Sequence, residues 1–128
     1  MGSSAVANTR PFYQLEATSD DEKVICSGWL RHLRTRSVKQ WKKYWVVLRR
    51  KSLALYRGRE EYRALLLLPL SAIVDAVETD AVSSRYRFCM QVISEERTYR
   101  FAAADEEDLE RWLGGLKSVV AKKRGLGV

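Results

Sequence analysis

The feature of this sequence most suited to binding is a concentration of basic side chains in one quarter of the chain. The 128 residues carry a formal net charge of +7. Residues 31–63 hold twelve lysines and arginines against two glutamates, whereas the segments on either side are each slightly acidic. Charge segregated in this way steers one face of a domain toward anionic partners. Nucleic acids and anionic membranes both present the phosphates that such a face would attract.

The remaining polar residues argue against catalysis and against a metal centre. Catalysis needs a nucleophile beside a base, or paired carboxylates in a pocket. The chain has one histidine, His32, and no catalytic motif surrounds its serines or cysteines. Cys26 and Cys89 lack metal-ligand spacing, and their apolar flanks favour buried free thiols of a reducing compartment. We therefore predict that the protein is not an enzyme and has no catalytic residue, metal or cofactor.

One predicted strand, residues 41–48 with the sequence WKKYWVVL, organises the basic quarter. Alternation places Lys42 and Tyr44 on one face of this strand and Lys43 and Trp45 on the other. Its aromatic and β-branched residues suit a pleated, half-buried surface. Because the strand begins with charged residues and ends with apolar ones, its first end belongs at a rim and its second in a core.

Alternation and turn residues predict six further strands. Gly28 lies inside the first of them and indicates a bulge or a close backbone approach. Residues 34–40 are basic and lack apolar periodicity, which predicts a loop. The predicted strands are residues 24–33, 41–48, 53–56, 64–68, 73–77, 85–92 and 98–102. Seven short strands with short connections are typical of an all-β sandwich or barrel.

The period then changes from two to 3.6 residues. Leu109, Trp112 and Leu116 belong to one apolar stripe of an amphipathic helix. Asp105 is the predicted N-cap, and Gly125 is predicted to end the helix. The predicted fold class is therefore mainly β with one α-helix, in the form of a seven-stranded antiparallel barrel or sandwich capped by a C-terminal helix.

Three motifs in this order resemble the pleckstrin homology (PH) domain: residues 28–30 (GWL), residues 41–48, and the helical pattern around Trp112. The resemblance implies two orthogonal antiparallel sheets, with one open end plugged by a helix whose tryptophan packs on the core. The expected domain organisation is a flexible N-terminal arm at residues 1–23, which is polar, a PH domain at 24–124 and a tail at 125–128.

The resemblance further implies a binding site. Many PH domains bind phosphoinositide headgroups at the open end, using a lysine that ends the first strand and a basic-x-Arg pair on the second. In this chain His32 stands at the lysine position and Tyr44 at the arginine position, while Glu95 and Glu96 fall in a turn near the rim. The residues predicted to line this pocket are His32, Arg34, Arg36, Lys39, Lys42, Tyr44 and Arg63.

A competing site is expected on the outer surface of the predicted barrel, where some family members bind headgroups. Arg85 and Arg87 share one face of the sixth predicted strand, opposite the inward-facing Tyr86 and Phe88. In this fold the loop before that strand lies beside the first loop. The residues predicted for the outer site are Arg31, Arg85 and Arg87, with Arg34 and Arg36 within reach.

These features predict a non-enzymatic membrane-targeting module that binds anionic phosphoinositide lipids through a basic rim, with weak or broad specificity. The alternative is a protein-interaction or scaffolding domain of a larger signalling protein, with little lipid binding. Nucleic acid is disfavoured, because the aromatic residues alternate into the predicted core instead of forming an exposed stacking platform. With no apolar run of ~20 residues and no signal peptide, the protein is expected to be a cytoplasmic, peripheral membrane monomer.

Overall fold

The computed structural model describes residues 22–35 and 39–125. Its elements are β1 (Val24–Thr35), β2 (Lys39–Arg49), β3 (Ser52–Tyr56), β4 (Ala64–Pro69), β5 (Ile73–Thr79), β6 (Phe88–Ser94), β7 (Thr98–Ala103) and one helix, α1 (Glu106–Lys123). A short 3-10 turn, Leu70–Ala72, connects β4 to β5. The predicted fold class, seven antiparallel strands followed by a C-terminal helix, is confirmed. The predicted arm and tail lie almost wholly outside the described residues and stay predictions.

The seven strands form one continuous antiparallel sheet in the order β4-β3-β2-β1-β7-β6-β5. The expectation of two separate sheets or a closed barrel is therefore corrected: among the described residues no ladder joins the edge strands β4 and β5, and the sheet is open. Its two halves meet through a short β1–β7 ladder, in which Arg31 pairs with Ala102 and His32 with Phe101. Alternation along single strands predicts which residues face inward, but not how many sheets the strands form.

Two predicted boundaries were wrong. Most of the loop predicted at residues 34–40 is strand, because the β1–β2 ladder continues through the Arg34–Gln40 and Thr35–Lys39 pairs. Backbone hydrogen bonds maintain that ladder where no apolar periodicity marks it. At β6 the error is reversed, since the strand begins at Phe88 and not at residue 85. Before it, the backbone N–H of Tyr86 donates to the Ser83 carbonyl in a turn.

Helix α1 begins and ends as its sequence predicts. The Asp105 carboxylate accepts a hydrogen bond from the backbone N–H of Asp108 at 2.8 Å, and Gly125 has a φ of +79° just beyond the helix. Trp112 is fully buried, and Leu109 and Leu116 pack beside it in the core. The helix lacks the apolar length that crossing a membrane requires, and no other described helix has it.

The close backbone approach predicted at Gly28 is confirmed. A Cβ atom there would lie 2.9 Å from the Arg111 guanidinium and 3.8 Å from Nε1 of Trp112, so β1 passes directly beside α1. The bulge in β1 lies elsewhere, between Val24 and Cys26. Both cysteines, Cys26 and Cys89, are free and buried, as predicted.

Candidate functional site

Side chains from β1, β2, β3 and β4 line an open pocket of about 510 Å³, which we call the basic pocket. Because neighbouring strands are antiparallel, the end of β1, the start of β2, the end of β3 and the start of β4 all lie at the same end of the sheet. His32 lies directly opposite Lys42 in the β1–β2 ladder, and Tyr44 follows on the same face of β2. The lining residues are His32, Arg34, Lys42, Lys43, Tyr44, Leu55, Arg57, Leu65 and Leu66.

Positive charge dominates this pocket. Arg34, Lys42, Lys43 and Arg57 contribute four cations to the lining, which includes no carboxylate. Lys42, Lys43 and Arg57 are exposed, so their charged ends are open to solvent. A concave surface lined by one sign of charge concentrates the electrostatic field and attracts counter-ions. The arrangement therefore suits an anionic ligand.

His32 forms an uncharged, aromatic part of the pocket wall. Its ring centroid lies 5.2 Å from that of Phe101, 5.9 Å from Tyr99 and 6.2 Å from Tyr44. Burial, together with the positive charges of Arg97 and Arg34, lowers the pKa of His32 to about 4. Near neutral pH the imidazole is therefore uncharged and offers one N–H donor and one acceptor nitrogen.

Four of the seven residues predicted for this pocket line it. They are His32, Arg34, Lys42 and Tyr44. Arg63 lies in a neighbouring groove of about 420 Å³, together with Tyr62 and the acidic residues of the β3–β4 connection. Lys39 begins β2 opposite Thr35, but its side chain is outside the described part of the chain, as is the whole of Arg36.

Sequence reasoning missed three cations that the fold brings to the basic pocket or beside it. Lys43, on the other face of β2, lies at the rim with its Nζ 4.9 Å from the centroid of the Trp29 ring. Arg57 directly follows β3, and its position at that strand end was a usable signal. The Arg97 guanidinium packs 4.9 Å from the Tyr99 ring centroid and shifts the pKa of His32. Nothing local in the sequence indicated that contact.

The acidic turn between β6 and β7 does not line the basic pocket. The backbone N–H of Glu95 donates to the Ala72 carbonyl at 2.9 Å, which holds the turn beside the start of β5. Neither Glu95 nor Glu96 is among the lining residues. The turn is nevertheless close to the pocket, because Arg97, the residue after Glu96, lowers the pKa of His32.

A different glutamate fixes the β3–β4 connection. Glu61 accepts a hydrogen bond from Nε1 of Trp45 at 3.3 Å and forms a 2.9 Å ion pair with Arg49. Trp45 and Arg49 flank the fully buried Val47 on one face of β2, so the Glu61 carboxylate bridges above that valine. Glu61 has a φ of +58°, a left-handed conformation that costs free energy and persists where side-chain contacts enforce it. These contacts hold the connection against β2.

A second concavity of about 370 Å³, the outer pocket, lies on the opposite face of β1 and β2. It brings together Arg31 and Arg85, two of the three residues predicted for an outer site, and adds Lys43. Arg87 does not line it, and its guanidinium lies 5.4 Å from the centroid of the Phe88 ring. Because β6 begins at Phe88, Arg85 and Arg87 do not share a strand face as expected.

Aromatic rings cover much of this outer face. Trp29, which is 37% exposed, meets Trp45 edge-to-face at 5.3 Å between centroids. The expectation that the aromatic residues turn into the core thus holds for Trp112 but not for these two. The rings are nevertheless covered: Lys43 lies over Trp29, and the Arg59 guanidinium is 5.2 Å from the Trp45 centroid. Each of the two rings therefore has a cation over it already.

No group of histidine, cysteine or carboxylate side chains in the described residues is arranged to hold a metal ion. A family model described as "PH domain" matches residues 24–121. The chain belongs to the PH domain family. PH domains often bind phosphoinositides or proteins, and they are generally non-enzymatic modules.

This PH domain is similar to parts of longer proteins. It is 26% identical over 106 residues to the pleckstrin homology domain protein opy1 of Schizosaccharomyces pombe, covering 83% of this chain and 31% of that protein. It is 35% identical over 92 residues to the human pleckstrin homology domain-containing family A member 6, covering 70% of this chain and 9% of that protein. The chain therefore spans less than a third of the length of these relatives.

A solved structure shares the fold. The Slm1-PH domain in complex with phosphoserine superposes with a TM-score of 0.65 at 22% sequence identity, covering 77% of this chain and 96% of that one.

Proposed function

We propose that this PH domain is a non-enzymatic membrane-targeting module that binds anionic phosphoinositide lipids in the basic pocket. The convergence of Arg34, Lys42, Lys43 and Arg57 in a pocket without a lining carboxylate carries this proposal. Hydrogen bonds from cationic donors to phosphate oxygens are about twice as strong as those between neutral groups. Neutral His32 supplies an uncharged N–H that could donate to a hydroxyl or phosphate oxygen of the headgroup.

The same pocket favours weak or broad specificity. Two of its four cations are exposed lysines, which act as point charges on flexible stems and impose little geometry on a phosphate. Tyr44 occupies the position where the family pattern has an arginine, so one planar, bidentate donor is missing. We therefore expect affinity to follow the number of phosphates on the headgroup more closely than their positions.

The outer pocket is the competing site for the same ligand. Arg31, Lys43 and Arg85 give it three cations beside the Trp29 and Tyr86 rings. Lys43 also lines the basic pocket, so one lysine serves either location. The PH domain crystallised with phosphoserine supports phosphate as the relevant chemistry, although it shares only the fold with this chain.

Further parts of the proposal concern partners and location. We expect the module to act as a monomer on the cytoplasmic side of a membrane, with residues 1–23 as a flexible arm and 125–128 as a tail. Nucleic acid is not proposed as a ligand, because Trp29 and Trp45 already contact each other and the cations of Lys43 and Arg59. A protein partner within a larger signalling protein is the alternative if lipid binding is absent.

Vesicle co-sedimentation tests the proposal. The full chain is mixed with vesicles of phosphatidylcholine alone, or with added phosphatidylserine, or with mono-, bis- or tris-phosphorylated phosphoinositides. We expect binding only to the anionic vesicles, rising with headgroup charge. It should fall steeply between 0.1 M and 1 M salt, where the Debye length shortens from ~10 Å to ~3 Å. Absence of binding to every vesicle at 0.1 M salt would favour the protein-interaction alternative, and binding undiminished at 1 M salt would contradict the electrostatic mechanism.

A further inference from the structure

Strand β4 presents an exposed apolar face next to the basic pocket. Leu65 is 49% exposed and Leu67 is 60% exposed, whereas Leu66 and Leu68 turn toward the core. Tyr62, just before the strand, is 92% exposed and lines the same groove as Leu65. We call Tyr62, Leu65 and Leu67 the apolar stripe. Adjacent exposed apolar side chains of this size mark an interaction surface.

The apolar stripe is continuous with the basic pocket and has arginines beside it. Leu65 lines both the basic pocket and the groove that contains Arg57 and Arg63. Glu60 and Glu61 also line that groove, but the Glu61 carboxylate is already paired with Arg49. Leucines and a tyrosine bordered by arginines match the chemistry of a bilayer interface, where apolar side chains meet the acyl boundary and cations meet phosphates.

The two edges of the sheet differ in how they are covered. On β5, the ammonium group of Lys123 donates to the Ile73 carbonyl at 2.5 Å, and Arg124 donates to the Val74 carbonyl, so the end of α1 covers the start of that edge strand. Along β4 the described residues provide no equivalent cover, and the strand pairs only with β3. Natural proteins usually blunt or cover exposed apolar edge strands. Strand β4, which none of the described residues covers in this way, lies beside the proposed ligand site.

We propose that the apolar stripe enters the interfacial layer of an anionic membrane while the basic pocket holds a headgroup. This inference rests on the proposed function and adds a second, apolar contact to it. Tyr62 lies at the level of the headgroups, Leu65 and Leu67 contact the acyl boundary, and Arg57 and Arg63 contact lipid phosphates. Membrane binding then has one component that salt screens and one that salt does not.

The first test compares two edge strands in the full chain. Leu65→Gln/Leu67→Gln removes the leucines of the stripe, and Val74→Gln makes the same kind of change at a residue that is 41% exposed on the opposite edge. Partitioning onto phosphatidylcholine vesicles that contain a phosphoinositide is measured at 0.1 M and 1 M salt. We expect the double variant to bind the vesicles about tenfold more weakly at both salt concentrations. In the parent, membrane binding removes the remaining exposed surface of the two leucines from water, and the glutamines do not provide that gain. Val74→Gln should stay within about twofold of the parent.

The second test keeps the native sequence. Amide NMR signals of the full chain are recorded with phosphoinositide-containing bicelles that carry a spin label near the headgroup end of the acyl chain. We expect line broadening at Leu65 and Leu67 and none at Val74. This readout is independent of any folding defect in the glutamine variants.

The outcomes separate this inference from the proposed function. Suppose that the parent binds at 0.1 M salt, the amide signals of Leu65 and Leu67 are not broadened, and Leu65→Gln/Leu67→Gln binds as well as Val74→Gln. The inference is then overturned and headgroup binding stands. If the parent binds no anionic vesicle, both fail. Self-association of the parent without lipid, abolished by Leu65→Gln/Leu67→Gln, would assign the stripe to a second copy and overturn the membrane contact.

Discussion

Replacing Lys42 with alanine tests whether the basic pocket holds the ligand. Lys42 lies opposite His32 on the inner face of β2, and its exposed side chain lines the pocket. We expect Lys42→Ala to weaken binding to phosphoinositide vesicles without disturbing the fold, because an exposed side chain contributes little packing.

The expected loss follows from the position of the charge. A partly solvated, charge-assisted hydrogen bond contributes about 1–2 kcal/mol, which corresponds to a roughly five- to thirtyfold change in affinity. Lys51, in the β2–β3 turn, provides the matched control, since it is an exposed lysine at the other end of the sheet. A strand rises about 3.3 Å per residue, so β2 separates the two lysines by more than roughly 20 Å. That separation exceeds two Debye lengths at physiological ionic strength.

The assay is vesicle co-sedimentation at 0.15 M salt with Lys42→Ala, Lys51→Ala and Arg31→Ala/Arg85→Ala, after circular dichroism has shown that all three are folded. We expect a loss for Lys42→Ala and almost none for Lys51→Ala. Equal small losses in all three would indicate a diffuse positive surface without a pocket. A loss confined to Arg31→Ala/Arg85→Ala would move the ligand to the outer pocket and refute our choice of site.

Three further predictions concern stability, pH and affinity. Trp112→Ala should lower the free energy of unfolding by about 3–5 kcal/mol, because the indole is fully buried; a melting temperature within about two degrees of the parent would contradict this. His32 has a lower pKa in the folded protein than in the unfolded chain, so the unfolded chain binds more protons and the fold loses stability as pH falls from about 6.5 toward about 4. His32→Gln should therefore flatten that part of the stability–pH curve in urea titrations, and an unchanged slope would count against the shifted pKa. Tyr44→Arg should strengthen vesicle binding by restoring a basic-x-Arg pair with Lys42, and weaker binding by the folded variant would argue against the basic pocket.

Local patterns in the sequence were sufficient for the elements and for the fold class. The alternation in residues 41–48 correctly separated Lys42 and Tyr44 from Lys43 and Trp45, because a strand reverses its side chains at every residue. The apolar face of α1, its Asp105 cap and Gly125 were predicted correctly for the same reason: each depends on neighbours within a few residues. The length of the β1–β2 hairpin was not predictable in this way, since backbone pairing alone extends it.

The membership of the candidate site was decided by tertiary structure. His32 and Lys42 were found because they occupy positions of the family pattern. Arg57 and Arg97, which were missed, lie in connections between strands. Only the path of the folded chain directs Arg57 into the basic pocket, leaves Arg63 in the next groove and sets Arg97 close enough to shift the pKa of His32. The contacts of Glu61 with Trp45 and Arg49, which fix one of those connections, join residues 16 and 12 positions apart and depend on the sheet having formed.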